Sequence, residues 1–171
     1  MSGMTRVRAK GHTTGVSVTR PANATTYTAG DVIGTAVTAT LTIPNASFGE
    51  FDAGIIQQAI ISSSAYVAAV PDLELWLFDS VVTDIADNAA FTPTDAELAT
   101  LVGIVQFESA NWKVANATAG ANGNMCCVAG NVSVPFNTKK GVSQLFGVLV
   151  VRNAYVPVSA EVFTLRLQIL D

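Results

Sequence analysis

Residues 161–170, EVFTLRLQIL, alternate without a break: Phe163, Leu165, Leu167 and Ile169 fall on one side and Thr164, Arg166 and Gln168 on the other. A period of two belongs to a strand with one face in a core, and no face of a helix reproduces it. The pattern recurs upstream. Residues 72–80, DLELWLFDS, place Leu73, Leu75 and Leu77 against Glu74, Trp76 and Phe78. Two aromatics beside Glu74 indicate that this second face is partly covered as well. Residues 31–44, DVIGTAVTATLTIP, set Val37, Ala39, Leu41 and Ile43 against three threonines and stop at Pro44, the pattern of a half-buried strand.

The remaining segments are read in the same way. TTGVSVTR (13–20) is rich in β-branched residues, and the loop PANATTYTAGD follows it. IIQQAIISSSAYVAAV (55–70) is long enough for a strand with a bend. GIVQFES (103–109) and NWKVANA (111–117) read as a short hairpin turning at residues 109–111, with Trp112 at an exposed turn; ATAGANGN (117–124) is a loop. MCCVAGNVSVPF (125–136) and QLFGVLVVRNA (144–154) complete about eight strands. Many short strands with loops of varied length predict an all-β, jelly-roll-like antiparallel β-sandwich; no alternation of strand and helix supports a doubly wound sheet.

One helix is expected, over residues 94–102. Thr94 stands where an N-cap belongs, with Glu97 three residues on, which is the spacing of a capping box. Asp95 falls in the first turn, where the helix dipole favours negative charge. Leu98, Leu101 and Val102 would then share a face packed on the sandwich. This helix lies in an acidic crossover, residues 76–105, that also holds Asp79, Asp84 and Asp87. Those three lack the Asp-x-Asp-x-Asp-Gly alternation of a calcium loop, and nothing pairs Asp79 with a second acid across a sugar. Asp84 and Asp87 are left to hold an irregularly bound ion or to meet a neighbouring subunit.

Composition sets the limits on function. A chain of 171 residues fits one domain, and one of that size buries roughly 70% of its unfolded surface. Hydrophobic residues make up 50%, charged residues 13%, and the mean hydropathy is +0.42, so either the core is large or partners cover part of the surface. No apolar run approaches the roughly 18–20 residues of a membrane helix, so no membrane partner is expected. The opening MSGMTRVRAKGHTTG has no apolar stretch behind its basic residues and does not read as a secretory signal, which predicts a protein that stays in the cytosol where it is made. The four Asn-x-Ser/Thr sites, at Asn23, Asn45, Asn116 and Asn131, then reflect composition.

Catalytic constellations are missing from the sequence. The single histidine, His12, lies near the amino terminus, so Ser-His-Asp and Cys-His sites lack a base. Cys126 and Cys127 are neighbours, a poor geometry for a disulfide and too few ligands for zinc. The glycines of ATAGANGN are not followed by Lys-Ser/Thr and do not make a phosphate loop. The chain reads as non-enzymatic, with no cofactor, no metal and no catalytic residue.

Charge is uneven. Residues 1–10 carry Arg6, Arg8 and Lys10 and no acid, while the rest holds six basic against thirteen acidic residues, a net of −7. The division expected is a basic arm over 1–14 and a single sandwich domain over 15–171. Three cations are too few for nucleic acid, which is met by a broad basic face, but they suit an acidic protein surface.

VTRPANATTYTAGDVIG (18–34), LELWLFDS (73–80), FTPTDAELATLVGIVQF (91–107) and above all LFGVLVVRNAYVPVSAEVFTLRLQILD (145–171) resemble small proteins of tailed bacteriophages that are encoded with the head genes and interpreted as capsid decoration (cement) proteins. The likeness runs from about Gly15 to the end. It implies a jelly-roll-like sandwich and self-association, as a homotrimer in preference to a homodimer. It also implies a place in the virion on the outer face of the major capsid protein shell, with assembly in the host cytoplasm. Such a protein needs contact area and order rather than reactive groups, which fits a sparsely charged chain. Arg6, Arg8, Lys10 and Arg20 are then expected to contribute to capsid attachment. The alternatives are a head-fibre or tail component, and a carbohydrate- or receptor-binding sandwich. For the last, Trp76, Trp112, Tyr66 and Tyr155 are the candidate stacking residues, with Trp112 the most attractive.

Overall fold

A computed structural model describes residues 11–48, 53–139 and 141–170. Ten strands form two antiparallel sheets. They are β1 (Gly11–Thr19), β2 (Val32–Ile33), β3 (Leu41–Ile43), β4 (Ala53–Ser63), β5 (Leu73–Phe78), β6 (Leu101–Phe107), β7 (Trp112–Asn116), β8 (Asn124–Asn137), β9 (Leu145–Val151) and β10 (Val162–Leu170). The first sheet has the order β1-β10-β4-β8-β7. The second has the order β2-β9-β5-β6, with β3 also on β9. Since β2 and β3 pair in turn along one edge of β9, they act as one interrupted strand, and β7 is an addition at the other flank. Eight strands, four per sheet, remain. The chain passes between the sheets at nearly every connection, so sequence neighbours face each other across the core, and only β5 and β6 pair as consecutive strands within the four-strand sheets. This is the double-sheet jelly roll.

The alternation in β10 is realised as expected: Phe163, Leu165, Leu167 and Ile169 are each no more than 2% exposed, while Arg166 and Gln168 face outward. They meet Leu73, Leu75 and Leu77 of the other sheet in one core cluster. Burying a side chain of this kind contributes roughly 1.5–3 kcal/mol.

Strand β9 does not alternate, because all seven of its residues are buried. Its second side faces a smaller cluster of Val32, Ala39, Phe78, Val82, Phe146, Val148 and Val150, against which Trp76, Ile85, Phe91 and Leu101 pack. Val82, Ile85 and Phe91 come from the 79–100 crossover. That segment therefore roofs the outer face of the second sheet, which is why β5 carries aromatics on its second side. A strand covered on both faces reads as a continuous apolar run.

Three expectations are corrected. Residues 31–44 do not form one strand: the backbone folds out between β2 and β3, Thr35 N–H donating to Thr38 O at 2.8 Å, and Val37 is 76% exposed. Glycine is required at the bend, since a Cβ on Gly34 would lie 2.6 Å from the Ala39 Cα and the Thr38 oxygen. Residues 103–117 are not a hairpin. A 3₁₀ turn at Ser109–Asn111 carries the chain from β6, paired with β5, to β7, paired with β8 in the other sheet. The helix, α1, is one turn, Asp95–Leu98, with no buried residue. The chain enters β6 at Leu101, so Leu101 packs as a strand residue and Leu98 stays 40% exposed.

Candidate functional site

Of the expected attachment residues, Arg6, Arg8 and Lys10 lie outside the described residues. β1 already begins at Gly11, so His12 and Thr14 belong to the sheet despite their place in the expected arm. Arg20 follows the last residue of β1 and turns inward: its side chain is 0% exposed and pairs with Asp87 at 3.2 Å. Its Nε donates to the Tyr27 hydroxyl, and its Nη1 reaches the carbonyls of Asn23 at 3.4 Å and Val158 at 3.3 Å. A guanidinium held this way anchors the end of β1 within the molecule; it is not a surface contact.

Asp87 is filled to the same degree. One oxygen accepts from the Tyr27 hydroxyl at 2.5 Å and the Gly34 N–H at 2.9 Å, and the other takes Arg20. These bonds join the loop after β1, the bend after β2 and the acidic crossover. Beside them Tyr155 stacks on Tyr27 with ring centroids 6.0 Å apart. The Tyr155 hydroxyl is bonded to both oxygens of Glu161, at 2.7 and 2.6 Å, and Glu161 also accepts from Ser63 and from the Val158 N–H at 3.1 Å. Burial first, and then the Asp87 hydrogen bond, raise the Tyr27 phenol far above its ordinary value. Burial, followed by the Glu161 charge, does the same to Tyr155. Both phenols are therefore fixed donors. A buried charge pair is held by such hydrogen bonds because neither ion has water to fall back on.

The five acids of the crossover thus separate by role. Asp87 belongs to the buried knot. Asp84 accepts from the Thr38 hydroxyl, and Asp79 pairs with Lys139 at 2.8 Å. Glu97 completes the capping box, accepting from the Thr94 N–H at 2.7 Å, and also takes the Thr83 N–H at 2.6 Å. The Thr83 bonds first, and then those from Thr94, hold its carboxyl down to about 2. Asp95 sits in the first turn of α1. Among the described residues no group of three or more His, Cys, Asp or Glu is placed to hold a metal ion.

The aromatic candidates are mostly internal. Trp112 is 7% exposed and donates its indole N–H to Pro71 O at 2.8 Å, so the exposed turn expected there is a buried strand start. Tyr155 is fully buried. Trp76 lies edge-on to Phe91 at 5.3 Å, donates to Glu74 at 2.9 Å and is flanked by Arg152, which pairs with Glu74 at 2.5 Å. Burial would raise the Glu74 carboxyl, but the bonds from Arg152 and Trp76 bring it below the usual range. Tyr66 is half-buried and bridged to Gly120. Two side-by-side rings open to a sugar are not found among these four.

A concavity of about 360 Å³ lies between β6 and β8 and is lined by residues that include Ile104, Gln106, Asn111, Val128 and one titratable side chain, Glu108. His12 donates from Nε2 to the Asn45 carbonyl at 2.9 Å. Both cysteines are free thiols: Cys127 faces the core, its thiol pushed up by burial to about 11, and Cys126 faces outward. The class of protein this arrangement defines is a jelly-roll β-sandwich.

No family model matches the chain, and no curated protein does. Among solved structures it is similar to a chain titled Desmodium yellow mottle tymovirus, at 10% identity and a TM-score of 0.31 over 99% of this chain and 91% of that one. A likeness that slight carries neither the fold nor a function; the fold rests on the strand order described above.

Proposed function

We propose that this chain is a structural virion protein, a decoration or cement protein that binds the outer surface of a major capsid protein shell and acts as a small homo-oligomer without catalysis. The observation that carries the reading is the jelly-roll strand order in a chain whose segments 18–34, 73–80, 91–107 and 145–171 resemble tailed-phage decoration proteins. The fold alone serves capsids, lectins and enzymes, and it is the resemblance of those segments that narrows the role to a virion. The inward commitment of Arg20, Asp87 and Glu161 supports the same reading, since these are the groups a catalytic site would leave reachable.

Attachment is then a surface matter, with Arg6, Arg8 and Lys10 supplying a basic arm and Arg20 fixing the strand from which the arm departs. Mass spectrometry and cryo-electron microscopy of purified virions test the proposal. The expected result is stoichiometric density on the outer side of the shell, and a protein absent from virions sinks it. Deleting residues 1–10 is expected to leave a folded oligomer that binds heads weakly; undiminished binding removes the arm from the mechanism.

A further inference from the structure

The two outer faces of the sandwich are unlike. The second sheet is roofed by residues 79–100, which contain five acids and no lysine or arginine. The first sheet has no such roof among the described residues. On its outer face Thr164, Ser62 and Cys126 lie side by side across β10, β4 and β8 and end on Lys113 of β7. In the row two residues along, Arg166, Ile60 and Val128 are neighbours. Val128 is 45% exposed. Arg166 and Lys113 are both exposed, and neither makes an ion pair among the described residues. The strand residues described on this face include no acid, on a protein whose net charge is −4. The chain also enters this sheet from its basic end, since Gly11, the residue after Arg6, Arg8 and Lys10, pairs with Leu170 at the β1 edge.

We propose that the outer face of the β1-β10-β4-β8-β7 sheet is the docking face of this protein and that its occupant is an acidic protein surface. The inference rests on the shell-binding reading and adds to it the side of the molecule that turns toward the shell. The described strand residues between Lys113 and Arg166 on this face are uncharged, and interfaces deplete charge at their centres. Lys113 and Arg166 supply complementarity and steer the encounter. The acidic roof of a second copy is the rival occupant. Stacking roof on sheet is a head-to-tail contact, which builds rings or open filaments, and it would cover the acidic side of every copy but the last.

Co-sedimentation of the full chain with tailed-phage heads lacking this protein is the test, alongside solution mass and thermal melting. Lys113→Glu with Arg166→Glu is expected to weaken co-sedimentation by about tenfold or more, with mass and melting midpoint unchanged, and 0.5 M NaCl to weaken the natural chain in the same direction. Lys113→Gln with Arg166→Gln, which keeps the size of both side chains near the original, gives a smaller loss of about threefold. Asp95→Lys, on the roof, leaves binding as it was. Undiminished co-sedimentation of both double variants overturns the assignment of the face, as does a fall in their solution mass, which would make this sheet the self-association surface. A natural chain that does not sediment with heads overturns the shell-binding reading itself, and the docking face with it.

Discussion

The outer sides of the two sheets have the same backbone geometry and opposite fates. On the second sheet, Phe78, Phe146 and Val150 point away from the main core yet stay no more than 5% exposed, because the crossover brings Val82, Ile85 and Phe91 over them. On the first sheet, the equivalent positions are Ser62, Thr164, Arg166 and Gln168, with Val128 open to solvent. A face that will be covered by its own chain is apolar and fully packed. A face left open to solvent mixes polar side chains and a few charges with isolated apolar ones.

Several measurements would break or sharpen this contrast. The largest effect is expected in the roofed half: Phe78→Ala should lower unfolding free energy by about 3–5 kcal/mol in urea titration, through lost transfer energy and a cavity between sheet and roof. A loss below about 1 kcal/mol would mean that the roof does not seal the sheet. Asp87→Ala should cost a similar amount, about 3–5 kcal/mol, because Arg20 would be left buried and uncompensated. The double change Arg20→Met with Asp87→Leu should recover much of that loss, which a specific ion-binding role for Asp87 would not allow.

A smaller effect is expected from acid. Glu97 has its folded carboxyl held near 2 against an ordinary 4.5, and Glu74 is also lowered. A lowered carboxyl contributes stability that is fully present above its unfolded value and is lost as pH falls toward its folded value. The melting midpoint should therefore decline from about pH 5 down toward pH 2, and Glu97→Gln should flatten that decline. An unchanged slope would show that the capping box and the Thr83 bond do not discriminate between the charged and neutral acid. The smallest effect belongs to the bare face: Val128→Thr should change stability by less than about 0.5 kcal/mol. In the same sheet, thiol labelling of the native protein at pH 8 should count one cysteine, Cys126, and two after unfolding in urea. Two in the native state would place Cys127 outside the core.

Much of the fold was legible because its signals are local. The alternation of β10 and β5, the capping box at Thr94 and Glu97, and the covered second face of Leu73–Phe78 each follow from residues a few positions apart. The misreadings have the opposite character. Val37 continued the alternation of its segment, but Gly34 and the Thr35–Thr38 turn take it out of the sheet. Trp112 stood next to a turn, but that turn crosses between sheets and delivers the indole to Pro71 O. Arg20 had the composition of a surface cation, and nothing near it in sequence announced a partner sixty-seven residues away. An aspartate in a polar loop and an arginine after a strand become a buried pair only when the crossover folds back over the end of the sandwich.

The amino-acid order alone thus determined an all-β chain with one capped helix start, a core assembled from period-two strands, and an uneven charge that separates a basic start from an acidic body. Only the tertiary structure decided which strands meet, that β6 and β7 belong to different sheets, that the crossover roofs one sheet and gives Asp87 to a buried knot, and that the other outer face has no cover among the described residues. The reason is one of range. Side-chain direction along a strand is fixed by the pleat within two residues, whereas strand order and buried charge pairing depend on contacts between segments far apart in the chain, whose energies no local pattern records.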